Sequence, residues 1–175
     1  MKKSIKQGFI FTTAVILLGA MFRFIPHIPN FTPVAAMALF GGALYDSKWK
    51  AFLIPLAVLL ISDLFLGFHA TMIFVYLGFL ITVIIGMRMR NKITLGNVIL
   101  SAFASSVLFF LVTNFGVWLM YDFYPATFGG LLETYIAGLP FFRNEVLGTL
   151  FYSGVFFGAY ALVKAKYPQW VGVAG

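Results

Sequence analysis

The chain has 175 residues, of which 62% are hydrophobic and 10% charged, and its formal net charge is +7. A soluble domain carries roughly 25% charged residues, so this sequence is too apolar for a surface that faces water. The basic residues form small clusters between apolar runs and no basic surface with interleaved aromatic residues, which excludes nucleic acid as a partner. Because there is no cysteine, disulfides and thiolate chemistry are excluded as well.

Six apolar segments follow one another along the chain and predict an all-α membrane protein with six transmembrane helices in one bundle. Their bounds are about 8–24, 33–45, 51–68, 71–87, 95–120 and 144–163. The second segment is short, because about 13 residues at a rise of 1.5 Å give roughly 20 Å against a hydrocarbon core of about 30 Å. Residues 1–175 thus form a single integral membrane domain in the lipid bilayer.

The basic residues predict the orientation, because lysine and arginine concentrate in cytoplasmic loops. Ten of the 12 basic residues fall on one side of the six-span arrangement. They are Lys2, Lys3, Lys6, Lys48, Lys50, Arg88, Arg90, Lys92, Lys164 and Lys166. Both termini are then cytoplasmic, and we expect a multi-pass protein of the cytoplasmic (inner) membrane. The sequence does not indicate an oligomeric state.

A proline-rich stretch, residues 23–33, connects the first two spans on the outer side. Pro26, Pro29 and Pro33 each lack an N–H group and disfavour helical backbone in the preceding residue, so this stretch is expected to be irregular. Thr32 followed by Pro33 is typical of an N-cap and first helical position, which starts the second helix there. Since that helix is short, part of the stretch lies at membrane depth, where irregular backbone must be buried in protein or line a wet cavity.

A second outer connection, residues 121–143, is rich in aromatic residues and glycine. Its apolar residues between Phe128 and Leu139 fall on one helical face, which predicts an interfacial helix that ends at Pro140. Asn144 would then be the N-cap of the sixth span, with Glu145 compensating its dipole. Two small-residue patterns indicate close helix packing, Ala38-x-x-x-Gly42 and Gly154-x-x-x-Gly158.

Ten residues on the outer side are candidates for a substrate-binding site: Arg23, His27, Asn30, Thr32, Asp63, His69, Asn114, Trp118, Tyr124 and Arg143. Arg23 and the N-terminus of the second helix favour an anionic or carbonyl group. Asp63 is a carboxylate inside the membrane, which suits an ion pair with Arg23 or Arg143, a substrate cation or a coupling proton. Asn114 and Trp118 lie one helical turn apart and suit a flat heteroaromatic ligand.

Each of these groups also has a purely structural interpretation. Arg23 would extend to the outer headgroups, and the polar side chains of the proline-rich stretch would satisfy its broken backbone. Asp63 would form an ion pair that orients this stretch. Asn114 would hydrogen bond between helices while Trp118 lies at the membrane interface.

His27, His69 and Asp63 combine imidazole and carboxylate groups, but their spacing matches no metal-binding motif. We therefore predict no metal and no cofactor, and leave open ligation of a metal carried by the substrate, as in a corrinoid or haem. The sequence has no nucleotide-binding loop, no zinc-protease motif and no serine nucleophile with a positioned base. The sequence therefore predicts no enzyme. Because it has no nucleotide-binding loop, the chain cannot drive active transport by itself.

Several stretches together resemble an uncharacterised family of small bacterial membrane proteins, a domain of unknown function. They include Pro26–Pro33, Phe40–Ala43, Ser62–His69, Thr113–Trp118 and Gly138–Asn144. In size, span number and short second segment, that family is similar to the substrate-binding S-components of energy-coupling-factor vitamin transporters. On the first helix, the Ala-x-x-x-Ala pattern of S-components is replaced by Ala14 and Leu18.

The resemblance implies binding and transport of a small vitamin-like or cofactor-like solute, with an energy-coupling module as a further partner. The solute would bind from outside, between the proline-rich stretch, Asp63 and the face that carries Asn114 and Trp118. A membrane enzyme or assembly factor that acts on a lipid or cofactor in the same place is the alternative. A structural membrane subunit is the third hypothesis.

Overall fold

The computed structural model describes residues 2–171, with the side chains of 7–168, 170 and 171. Within this range the chain forms six α-helices, a final turn of 3-10 helix and no strand. The helices are α1 (Lys2–Phe22), α2 (Val34–Leu44), α3 (Lys48–Leu66), α4 (Met72–Met89), α5 (Leu95–Met120) and α6 (Phe128–Lys166), followed by the turn Pro168–Trp170. The all-α prediction is confirmed for this part of the chain.

Four of the helices, α3 to α6, are long and apolar enough to cross a membrane. Their outer faces expose large apolar side chains such as Phe65, Leu100 and Leu162 at 77%, 67% and 74% of their surface. Exposed apolar side chains on these helices are compatible with a membrane protein. The apolar part of α1 (Gln7–Phe22) and the whole of α2 are shorter, so helix length and composition support four crossings and not the six expected.

The short helix α2 lies at the centre of the bundle and packs against α1, α3, α4, α5 and α6. Every residue from Val34 to Ala43 is buried. Because α2 is enclosed by protein, its 11 residues need not match the thickness of a bilayer. The short second helix is thus confirmed, although its N-cap is Pro33 and not Thr32, and no side chain caps it.

The helices α2 and α4 cross at direct backbone contact. A Cβ atom on Gly42 would collide with the carbonyl oxygen of Val83, and one on Gly86 with the carbonyl oxygen of Leu39. The packing role predicted for the Ala38-x-x-x-Gly42 pattern is confirmed. The same prediction for Gly154-x-x-x-Gly158 is wrong, since a Cβ on either glycine would meet open space.

The predicted interfacial helix and sixth span are one continuous helix of 39 residues, α6. The connection that precedes it is residues 121–127 and not 121–143, and Thr127 is the N-cap, accepting a hydrogen bond from the Gly130 amide. Pro140 lies inside α6 and does not end it. Asn144 is likewise not a cap, because its Nδ2 donates to the carbonyl oxygen of Pro29 at 3.0 Å.

Packing against α5 explains why the helix continues through Pro140. The rings of Phe110 and Phe142 lie 4.7 Å apart, and the Tyr135 hydroxyl donates to the Leu111 carbonyl at 2.9 Å. These contacts lie on both sides of Pro140 and hold both halves of α6 against the same neighbour. Tertiary packing here overrides the local cost of a proline, which is about 3 kcal/mol in a helix interior.

The two ends of the bundle differ in charge. At the end that we call the basic end, the Arg90 guanidinium donates to the carbonyl oxygens of Asp46 and Gly42, which brings the α2–α3 and α4–α5 connections together. The opposite end, which we call the outer end, holds the connections 23–33, 67–71 and 121–127. The structure therefore separates most basic residues from the connections that carry the candidate site.

Candidate functional site

A cavity of about 510 Å³ opens at the outer end of the bundle. Most of its walls come from α5 and α6, the proline-rich stretch and the connections 67–71 and 121–127, with one residue each from α2 and α4. The lining residues are Arg23, Asn30, Thr32, Val34, His69, Thr71, Val75, Phe109, Thr113, Asn114, Val117, Phe123, Tyr124, Thr134, Ala137, Gly138, Phe141 and Glu145. This volume lies within the range of about 300–1,000 Å³ that is typical of small-molecule sites.

Six of the ten predicted site residues line this cavity: Arg23, Asn30, Thr32, His69, Asn114 and Tyr124. The other four, His27, Asp63, Trp118 and Arg143, do not belong to its lining. The geometry thus groups part of the predicted set around one space, and the binding role of those residues stays a prediction.

Arg23 and Asp63 form an ion pair at the edge of the cavity. The Arg23 Nη2 lies 2.6 Å from the Asp63 Oδ1, with side chains 14% and 9% exposed. The guanidinium also donates to the Ser62 hydroxyl, and the Tyr76 hydroxyl donates to the Asp63 Oδ2 at 2.8 Å. Arg23 follows the last residue of α1, so this cluster joins α1 to α3 and α4. It leaves Arg23 electrically compensated inside the protein.

The proline-rich stretch is held against α6 by backbone contacts. Gly148 faces the backbone of Phe31 and Thr32, where a Cβ would meet atoms at 3.0 Å. Asn30 adopts a positive φ of 63°, a conformation in which asparagine is common. His27 is exposed, and its Nδ1 lies 2.6 Å from the carbonyl oxygen of Ile25. Hence Asn30 and Thr32 line the cavity while His27 is turned to the outside.

The described residues do not form a cluster of metal ligands. His69 lines the cavity, but its Nδ1 lies 3.0 Å from the Thr71 hydroxyl. Among the residues that the structure describes, no group of three or more histidine, aspartate or glutamate residues could hold a metal ion. His27, His69 and Asp63 are therefore not brought together as a ligand set.

The predicted Asn114 and Trp118 face is divided between two roles. Asn114 lines the cavity and donates from its Nδ2 to the Phe110 carbonyl at 2.9 Å. Trp118 instead donates from its Nε1 to the Pro125 carbonyl at 3.0 Å and thereby holds the 121–127 connection. The aromatic surface of the cavity comes from Phe109, Phe123, Tyr124 and Phe141.

Glu145 is a carboxyl-bearing cavity residue that the sequence interpretation did not include in the site. It is 4% exposed and lines the cavity, and its Oε1 accepts a hydrogen bond from the Thr149 hydroxyl at 3.0 Å. Thr134, Gly138 and Glu145 lie on one face of α6 at helical spacing, a signal that the assumed break at Pro140 concealed. Arg143, two residues earlier, is exposed and outside the cavity lining.

The model of one protein family, described as a family of unknown function (DUF6580), matches residues 3–170. The chain has no significant match among curated proteins or among solved structures. The expected resemblance to an uncharacterised family is thereby confirmed, and the similarity to S-components stays a prediction.

Proposed function

We propose that this chain, which belongs to the DUF6580 family, binds a small solute at its outer end and takes part in its transport across a membrane. The observation that carries the proposal is the cavity of about 510 Å³ whose lining combines aromatic side chains with Arg23, Asn114 and Glu145. A space of this size, with a few converging polar groups on mostly apolar walls, is the usual form of a small-molecule site.

The proposal includes six membrane crossings with both termini in the cytoplasm. The four long apolar helices, α3 to α6, support part of it directly. For α1 and α2, the support is that both pack inside the same bundle, and that enclosed backbone is tolerated at membrane depth. With this orientation in the cytoplasmic membrane, the basic end faces the cytoplasm and the cavity opens to the outside.

The solute is expected to be vitamin-like or cofactor-like in size, as in the S-components of energy-coupling-factor transporters. The chain would bind the solute. A separate energy-coupling module or an ion gradient would drive its uptake. The arrangement supports this role because the inner connections are short, for example residues 45–47 and 90–94, and have no room for a catalytic domain.

Uptake from a defined nutrient mixture tests the proposal. Cells that express the wild-type chain should deplete one compound of the medium and accumulate it unchanged, as followed by mass spectrometry. The Ala137→Trp variant should abolish this accumulation, because Ala137 lines the cavity and is exposed, so that a large side chain can fill the space. Ala161→Trp, at an exposed position of α6 outside the cavity lining, is the matched control.

Two results would contradict the proposal. Accumulation that persists in Ala137→Trp would exclude the cavity as the binding site. Conversion of a lipid or cofactor to a new product by the purified protein would instead support a membrane enzyme that uses the same cavity.

A further inference from the structure

Glu145 is a buried carboxyl group whose hydrogen-bonding capacity is mostly unused. Its residue surface is 4% exposed, and it accepts one hydrogen bond, from the Thr149 hydroxyl to its Oε1. Within the described part of the chain, no donor contacts its second oxygen, Oε2. A carboxylate has about four acceptor sites, and a buried one is costly when it has neither a cation nor several donors. Glu145 therefore has the capacity to accept hydrogen bonds from a molecule in the cavity.

No cation among the described side chains forms an ion pair with Glu145. Arg23 also lines the cavity, but its guanidinium is paired with Asp63 at 2.6 Å. The ion pairs found among the described side chains are Arg23 with Asp63 and Lys50 with Asp46, so no cationic nitrogen lies within 4.0 Å of Glu145 there. The cavity wall thus carries one compensated cation and one uncompensated carboxyl group.

The aromatic surroundings of Glu145 also favour a cationic ligand. Phe109, Tyr124 and Phe141 line the same cavity, and the faces of aromatic rings attract ammonium groups. A buried carboxyl group beside aromatic rings is a chemical match for an amine, because the ammonium group would supply the opposite charge that no described side chain supplies.

We propose that the solute bound in this cavity carries a cationic amine, and that Glu145 is the residue that binds it. The inference rests on the proposed function, since it names the chemical class of the solute in the same cavity. It replaces the expectation of an anionic group held by Arg23, because that guanidinium is already occupied by Asp63. The class is a small organic cation with an apolar or aromatic body.

Matched probes test the charge preference with the purified full-length chain in detergent. Tryptamine and phenethylamine supply the ammonium group, their alcohol analogues tryptophol and phenylethanol the neutral group, and indole-3-acetate and phenylacetate the carboxylate. Binding is measured by isothermal titration or by the shift in thermal unfolding. A charge-assisted hydrogen bond predicts that the amines bind about 10–100-fold more tightly than the alcohols.

The variants Glu145→Gln and Glu133→Gln test whether the preference for amines depends on Glu145. Glutamine keeps an acceptor for Thr149 but loses the charge, so Glu145→Gln should bind amine and alcohol equally. Glu133 is exposed on the same helix and does not line the cavity, so Glu133→Gln should retain the wild-type preference.

The outcomes separate this inference from the proposed function. Tighter binding of alcohols or carboxylates than of amines by the wild type would overturn the inference and leave a solute-binding cavity in place. An amine preference that survives in Glu145→Gln would overturn it as well. Equal binding of all three classes of probe, or no binding of any of them, would also overturn the inference. The proposed function is tested separately, by the effect of Ala137→Trp on uptake.

Discussion

The Nη2 of Arg23 lies 2.6 Å from the Oδ1 of Asp63, and this ion pair joins the end of α1 to the outer part of α3. The Tyr76 hydroxyl contributes a further hydrogen bond from α4 to the same carboxylate. Three helices therefore meet at one pair of charges next to the cavity. The structure favours a positioning role for this pair, which fixes the beginning of the proline-rich stretch.

The first prediction concerns the stability that this ion pair provides. Arg23→Gln and Asp63→Asn should each lower the free energy of unfolding by about 3 kcal/mol or more, because each leaves the other charge buried alone. The double variant should lose less than the sum of the two single losses. Unfolding in detergent measures all three, with Arg143→Gln as an exposed control expected to be near neutral. Additive losses would show that the two residues act independently.

The second prediction concerns the crossing of α2 and α4. Gly42→Ala and Gly86→Ala should each cost about 1–3 kcal/mol, because the added methyl group meets backbone atoms that cannot move aside. Gly154→Ala makes the same chemical change on α6, where the position faces open space. It should be neutral or stabilising by about 0.5–1 kcal/mol, through helix propensity. Equal effects at the three positions would disprove the backbone contact.

The third prediction concerns the continuity of α6. Spin labels on cysteines introduced at Leu132 and Leu162, both exposed, should lie about 45 Å apart, because 30 residues at 1.5 Å per residue lie between them in an unbroken helix. The absence of natural cysteines makes the labelling specific. Pulsed electron resonance measures the distance. A right-angle break at Pro140, as a separate interfacial helix would require, predicts about 35 Å by the same helix geometry.

The fourth prediction concerns the orientation in the membrane. Single cysteines at Ser47, in the α2–α3 connection, and at Thr127, just before α6, should react with a membrane-impermeant reagent from opposite faces of the membrane. Thr127 should be labelled in intact cells, and Ser47 after the membrane has been opened. Labelling of both residues from outside would rule out the six-crossing arrangement.

The element boundaries were largely predictable from hydropathy, because lipid imposes long apolar helices that are easy to recognise. The fifth segment, residues 95–120, coincides with α5. The burial of α2 was only partly predictable from the sequence. Its small residues and its length indicated an unusual helix, but the pattern alone does not reveal that five neighbours enclose it.

The continuity of α6 was not predictable from local sequence. Glycine and proline at Gly138 and Pro140 normally end a helix, and only the contacts of Tyr135 and Phe142 with α5 explain why this one continues. The predicted helix end at Pro140 also affected the interpretation of two later residues. Asn144 was interpreted as a cap, and Glu145 as a partner of the helix dipole and not as part of the cavity wall.

Six of the polar residues that line the cavity were predictable from the sequence, but the shape of the cavity was not. Carboxylates and arginines within apolar segments are rare, which is why Arg23 and Asp63 stand out in the sequence. Which of them faces the cavity depends on side-chain pairing across α1, α3 and α4. The sequence cannot supply that pairing, since Asp63 had two arginines as available partners.

Native mass spectrometry of the gently purified protein tests the central claim, that the outer cavity holds a small solute. The wild type and the Ala161→Trp control should each carry an adduct of the same defined mass, and Ala137→Trp should carry none, because its new side chain occupies the cavity. An adduct that is equally abundant on Ala137→Trp would place the bound molecule elsewhere and contradict the account. So would a wild-type protein that carries nothing but lipid.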